Sequence, residues 1–305
     1  MTIEQPERSL QSKSRQTLLV TDSGLGGLSV FADLARRLEK ASVWPQISMV
    51  YFNAWPEPDR GYNHFPDMNE RARVFDNALN AMAAFKPDII AIACNTLSVI
   101  YPFTAFSRSE GIPVRGIIQD GVELIRNHMT DPGSMTILFG TPTTIAAGTH
   151  RQALKALGIA PDRILDQACV GLAGKIERDP FSTQVDQMIR DNVSQAAEKL
   201  SNHSGTVYAA LCCTHFGYRR DSFHKELNRH IQGKVIILNP NEQMAREMVP
   251  SSGEHTQPSI DMTIVSRVPW EPSRIKAYCD LIRTISPAAA RALAGYQLKP
   301  DLFAV

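Results

Sequence analysis

Short apolar runs alternate with longer amphipathic stretches along most of this 305-residue chain. The runs at 17–20, 47–52, 88–93, 114–118, 135–139, 207–211, 235–238 and 260–265 have strand length. Between them, 28–40, 69–85, 121–128, 145–157, 184–200, 221–230 and 272–285 carry helical periodicity. Residues 250–259 read as a loop, and the stretch 286–305 reads as a helix followed by a loose tail. Alternation of this kind predicts parallel sheets with helices on both faces. The fold class expected is α/β. Two similar parallel-sheet domains face one another across a cleft. Ligands of such folds sit beyond the carboxyl ends of the strands.

Two strand-length runs end alike. One is Asp88-Ile-Ile-Ala-Ile-Ala-Cys94-Asn95-Thr96, and the other is Val207-Tyr-Ala-Ala-Leu-Cys212-Cys213-Thr214-His215. Each delivers a thiol at the end of a buried strand, close to a helix N-terminus, where thiols ionise readily. Buried cysteine is usually only a small core residue. That reading suits Cys169, Cys212 and Cys279. The repeated context sets Cys94 and Cys213 apart, as an acid/base pair facing one substrate. Adjacent strand residues point to opposite faces, so Cys212 cannot share the site with Cys213. His215, two residues after Cys213, can hold a proton near that thiol. The spacing of Cys212, Cys213 and His215 matches no common zinc pattern, so no metal is expected.

The glycine-rich turn Asp22-Ser23-Gly24-Leu-Gly-Gly-Leu-Ser29 follows the first strand. It fails the dinucleotide pattern, which needs glycine at position 29, and it lacks a P-loop lysine. It reads instead as a nest of backbone amides for a carboxylate, or as a plain turn capped by Asp22 or Ser23. Gly140-Thr141-Pro-Thr-Thr144 stands at the corresponding place after the strand at 135–139. There Thr141 and Thr144 either bind substrate oxygens or cap the next helix.

Hydrophobic residues make up 43% of the chain, charged residues 21%, and the formal net charge is +1. Nothing in this balance favours a nucleic-acid or membrane surface, and no apolar run approaches membrane-spanning length. Residues 1–16 are polar and read as a disordered tail rather than a secretory signal. Five cysteines at irregular spacing argue against a disulfide framework and for a reducing cytoplasm.

Taken in order, the motifs at 22–29, 93–96, 140–141 and 213–215 resemble those of the aspartate/glutamate racemase superfamily. The likeness is greatest to bacterial glutamate racemase and runs over roughly residues 17–285. It implies a cytoplasmic, cofactor-independent isomerase acting on an amino acid, with glutamate or aspartate favoured, in cell-wall synthesis or amino-acid catabolism. It implies that Cys94 and Cys213 are the two bases, with Asp22 beside Cys94 and His215 beside Cys213. Ser23, Asn95, Thr96 and Thr214 match residues that hold the α-amino and α-carboxylate groups, and Thr141 and Thr144 match part of that pocket. The implied domains are 17–118 plus 218–305, and 119–217, related by a pseudo-twofold axis. No nucleic acid, membrane or metal partner is expected, and a homodimer is left open.

The loop after the second strand departs from the glutamate racemases. They carry Gly-Asp-Thr there and Pro-Tyr-Gly soon after. Here the chain reads Tyr51-Phe-Asn53-Ala54-Trp55, then a proline-rich stretch to Asn63. Ala54 replaces the acid, and Gly61-Tyr62 only loosely echoes the Tyr-Gly pair. If this loop walls the side-chain end of the pocket, Arg60 offers a cation for a second carboxylate. The rival readings are a hydantoin racemase, a small dicarboxylic acid isomerase, and a non-catalytic protein that binds a small acid.

Overall fold

A computed structural model describes residues 15–58, 60–109, 111–200, 203–250 and 258–305. The first sheet begins with β1 (Arg15–Asp22), followed by α1 (Leu28–Ala41), β2 (Gln46–Asn53), α2 (Met68–Ala83), β3 (Ile89–Ile92) and α3 (Asn95–Ile100). β4 (Val114–Gly116) and α4 (Ile117–His128) lead out of it. The second sheet is built from β5 (Met135–Gly140), α5 (Pro142–Ala147), α6 (Thr149–Ala156), β6 (Ile164–Ala168), α7 (Leu172–Arg178) and α8 (Thr183–Glu198). It continues through β7 (Val207–Cys212), α9 (Arg220–His230), β8 (Val235–Leu238) and α10 (Pro240–Glu247). The chain then returns through β9 (Ser259–Ser266), α11 (Pro272–Arg283), α12 (Pro287–Ala294) and β10 (Gln297–Leu298).

Strand order is β10-β9-β2-β1-β3-β4 in one sheet and β6-β5-β7-β8 in the other, with every pairing parallel. Each sheet therefore contains the same four-strand pattern: the second strand beside the first, then the third and fourth on its other side. Cys94 follows the third strand of one pattern, and Cys213 follows the third strand of the other. In each sheet the order reverses between the first and third strands, so each has a switch point at its carboxyl edge.

The central strands are continuous apolar runs because both their faces are covered. In β1, Leu18 and Val20 join the core under α1 and α11, while Leu19 joins the core under α2. In β7, Ala209 and Leu211 pack with α8, whereas Tyr208, Ala210 and Cys212 pack on the opposite face with α4. This alternation buries Cys212 away from Cys213, as the period of two requires.

Several expectations need correction. β8 pairs with β7, so α9 and β8 stay with the second sheet and the chain returns later than residue 218. The expected helix at 145–157 is two helices, α5 and α6, divided at Gly148, whose φ of 65° is left-handed. Arg15 and Gln16 already pair with β2, so the tail does not reach residue 16; its residues 1–14 lie outside the described residues. The stretch after α12 is anchored rather than loose. β10 pairs with β9, and Phe303 is buried 5.9 Å from Phe52, ring to ring. Most of the loop read at 250–259 also lies outside the described residues. Among the described residues, no helix is long and apolar enough to cross a membrane.

Candidate active site

The two switch points open onto one cavity of about 590 Å³, a volume typical of small-molecule sites (~300–1,000 Å³). Both sheets contribute. Asp22, Ser23, Cys94, Asn95 and Thr96 line it from the first, and Thr141, Cys169, Cys213, Thr214 and His215 from the second.

Cys94 stands between β3 and α3 as the cap of a short helix. Its Sγ accepts the Leu97 amide at 3.4 Å and lies 3.2 Å from Ser23 Oγ. Burial pushes the Cys94 thiol up to about 12, and the negative charge of Asp22 adds to this. Hydrogen bonds from the Ser23 side chain and from the Leu97 and Ser23 amides act in the opposite sense. The expectation of a readily ionised thiol at this strand end therefore fails for Cys94. A six-residue helix and three donors do not offset desolvation beside a carboxylate.

Asp22 is fully buried at the end of β1. Burial raises it from 3.8 to about 6, against the pull of His215 and of the Thr214 hydroxyl. That hydroxyl, which comes from the other sheet's domain, donates to Asp22 Oδ2 at 2.9 Å. Asp22 Oδ1 has no hydrogen-bond partner among the described residues. Asn95 is nearly as buried, and among the described residues neither Oδ1 nor Nδ2 of its side chain has a partner. Unsatisfied polar atoms of this kind are costly to bury. Both residues border the cavity.

On the other side, Cys213 Sγ lies 3.9 Å from His215 Nδ1, and His215 Nε2 lies 2.5 Å from Glu177 Oε2. Burial opposes the charge on His215. Hydrogen bonds to Cys213 and Glu177, with the charge of Glu177, outweigh it and hold the imidazole well above its usual pKa. Glu177 Oε2 also accepts the Leu25 amide at 2.9 Å. The glycine-rich turn therefore does bind a carboxylate, but one supplied by the protein itself, from α7. Glu177 was not singled out from sequence. It lies 38 residues before His215, on a short helix with no motif of its own.

A chain of hydroxyls joins the two sides. Thr141 Oγ1 lies 3.0 Å from both Thr96 Oγ1 and Thr144 Oγ1. Thr141 lines the cavity and also caps α5 through the Thr144 amide, so both roles read from sequence coexist. Thr144 stands behind it, outside the lining.

The family model described as Asp/Glu/Hydantoin racemase matches residues 19–248. The chain belongs to that family. Membership makes it an isomerase of the racemase type. It is 25% identical to a glutamate racemase of Oceanobacillus iheyensis over 229 residues, 75% of this chain and 76% of that one. A glutamate racemase of Vibrio vulnificus is 27% identical over 248 residues, 78% of this chain and 82% of its own. Among solved structures, glutamate racemase isoform RacE1 from Bacillus anthracis superposes with a TM-score of 0.67 at 22% identity, covering 93% of this chain and 96% of that one. An aspartate racemase from Picrophilus torridus gives 0.51 at 13% identity, covering 76% and 91%. These superpositions bear on the fold.

Within this racemase fold the departing loop does form part of the cavity wall, through Trp55, Gly61, Asn63 and His64. Gly61 is required by packing. A Cβ there would stand 2.6 Å from the Trp55 ring. Two residues of the loop correct the sequence reading. Tyr62 turns away from the cavity into an aromatic cluster, with its ring 6.0 Å from Phe65 and 6.1 Å from Phe75. Arg60 lies outside the lining. Its guanidinium lies 4.3 Å from the Phe65 ring centre and pairs with Glu57 at 3.8 Å and Glu70 at 3.5 Å. Cys169, assigned to the core, is buried yet also borders the cavity.

The close approach of the two halves gives one prediction. A Cβ on Gly26 would stand 2.3 Å from Thr214 Oγ1 and 2.8 Å from the His215 amide nitrogen. Gly26→Ala must push the first turn away from the Thr214-His215 backbone. The expected result is a loss of about 1–3 kcal/mol in stability, with racemase activity falling as the Asp22–Thr214 bond is disturbed. Thermal denaturation and turnover measured together check it. An unchanged melting temperature would contradict the contact.

Proposed function

We propose that this protein racemises an amino acid without a cofactor, Cys94 and Cys213 acting in turn as base and acid, with glutamate or aspartate favoured. One observation carries the proposal. The two thiols come from equivalent strand ends of the two sheets, border one cavity, and each has its own proton-handling neighbours. Asp22 and Ser23 serve Cys94; His215, backed by Glu177, serves Cys213.

An α-proton is weakly acidic, so its removal needs a desolvated site with donors where carboxylate charge grows. Asn95 and Thr96 supply such donors around the cavity, while the Thr214 hydroxyl proton is committed to Asp22. One thiolate removes the α-proton from one face of the carbon. The opposite thiol delivers its proton to the other face, and the configuration inverts. Each turnover exchanges the protonation of the pair. At neutral pH Cys94 rests as a thiol. Asp22 and the His215–Glu177 pair are the groups through which the pair resets. The curated relatives named glutamate racemase support an acidic amino acid as substrate.

The test is a panel of both enantiomers of glutamate, aspartate, glutamine, asparagine and alanine, with a 5-substituted hydantoin. Circular dichroism follows inversion, and NMR in D2O follows α-proton exchange. Inversion of an acidic amino acid with deuterium incorporation is expected. Turnover of the hydantoin alone, or of nothing, overturns the proposal.

A further inference from the structure

We infer that Arg71, on α2, recognises the second carboxylate of an acidic substrate, an assignment that builds on the amino-acid racemase reading above. Arg71 lines the cavity wall beside Thr143 and Asn63. Its Nε and Nη2 donate to the Phe65 carbonyl oxygen at 3.1 and 2.8 Å, and its Nη1 donates to Thr143 Oγ1 at 3.3 Å. A guanidinium has five N–H bonds. These contacts use three and leave one on each terminal nitrogen. Those two N–H groups remain as donors for a carboxylate.

Among the described residues Arg71 forms no ion pair, and the acid next to it in sequence, Glu70, faces Arg60 instead. The partners Arg71 does have are neutral oxygens that fix its orientation. Thr143 is itself held, donating to Asn63 Oδ1 at 2.6 Å. The guanidinium is thus anchored before any ligand arrives, which lowers the ordering cost of binding. The same contacts bridge the two halves, since Phe65 and Asn63 precede α2 and Thr143 belongs to α5. At the reacting end of the cavity stand the thiols and the unpartnered Asn95 amide. An α-amino acid seated there, with its side chain toward Arg71, presents its distal carboxylate to the free N–H groups. Arg178 also borders the cavity. It is exposed at the end of α7, and among the described residues it has no hydrogen bond to hold it.

The experiment compares wild type with Arg71→Gln, Arg71→Lys, Arg178→Gln and, as a control outside the cavity, Arg60→Gln. Kinetics are measured on glutamate and aspartate against their amides, glutamine and asparagine. Arg71→Gln should lose on the order of 10–100-fold in kcat/KM for the acids, mainly through KM, and change little with the amides. Arg71→Lys should recover part of the loss, and Arg60→Gln should match wild type. Equal losses on acids and amides would mean that Arg71 only ties the two halves together, and would overturn the assignment. So would an acid preference that survives in Arg71→Gln or disappears in Arg178→Gln. A parallel thermal-shift series separates this inference from the racemase reading. Glutarate should raise the melting temperature of wild type and not of Arg71→Gln. If no amino acid is inverted, the racemase reading falls, while the glutarate shift still decides whether Arg71 receives a carboxylate; equal shifts in both proteins overturn it.

Discussion

Replacing either Cys94 or Cys213 by alanine is expected to lower racemisation in both directions by on the order of 10²–10⁴-fold or more. Inversion needs a base on one face of the carbon and an acid on the other, so removing either thiol blocks the full reaction whichever enantiomer is supplied. The half-reaction is different. Each single variant keeps one thiol and should still exchange the α-proton of the enantiomer that presents its hydrogen to that thiol. The two variants should therefore exchange opposite enantiomers in D2O. Chiral analysis with NMR detection of deuterium reads both quantities. Racemisation at the wild-type rate by Cys213→Ala would remove the two-base assignment, and exchange of the same enantiomer by both variants would place the thiols on one face. Cys94, buried and pushed up to about 12, should be alkylated slowly at neutral pH, because the thiolate is the nucleophile.

The sheet architecture was legible because parallel strands covered on both faces are written as unbroken apolar runs. Runs such as Ile89–Ile92 and Val207–Cys212 stand out from the amphipathic segments around them. β6 was not legible. It is an edge strand carrying Asp166 and Gln167, so its sequence lacks a sustained apolar run. The cysteine pair was legible because both members end such a run. The residues around them were less so, since tertiary contacts decide their neighbours. Glu177 reaches His215 only because α7 packs beside the glycine-rich turn. Arg60 and Arg71 are both cations near the same loop. Its place within the loop favoured Arg60, but Glu57 and Glu70 take it, whereas the Phe65 carbonyl and Thr143 hold Arg71 at the cavity. Nothing in the spacing of the two arginines could have separated them.

Asp22→Asn is expected to make the protein more stable and much less active. The carboxyl is buried, and burial raises it from 3.8 to about 6. A carboxyl raised on folding favours the folded state while protonated. That contribution is complete below about pH 4 and is lost as pH rises through about 6. At pH 7.5 the folded protein therefore carries a charge whose cost, from the difference between 3.8 and about 6, is up to about 3 kcal/mol. Asparagine removes the charge and retains an oxygen to accept the Thr214 hydroxyl. The melting temperature of Asp22→Asn should exceed that of wild type by a few degrees at pH 7.5, and the gap should close toward pH 4. Racemisation should fall on the order of 10²-fold or more, because Cys94 loses the neighbour that handles its proton. Opposite movement of the two properties distinguishes a group held in place for chemistry from one that supports the fold. A variant that melts lower than wild type at pH 7.5 and still racemises at the wild-type rate would assign Asp22 to structure alone.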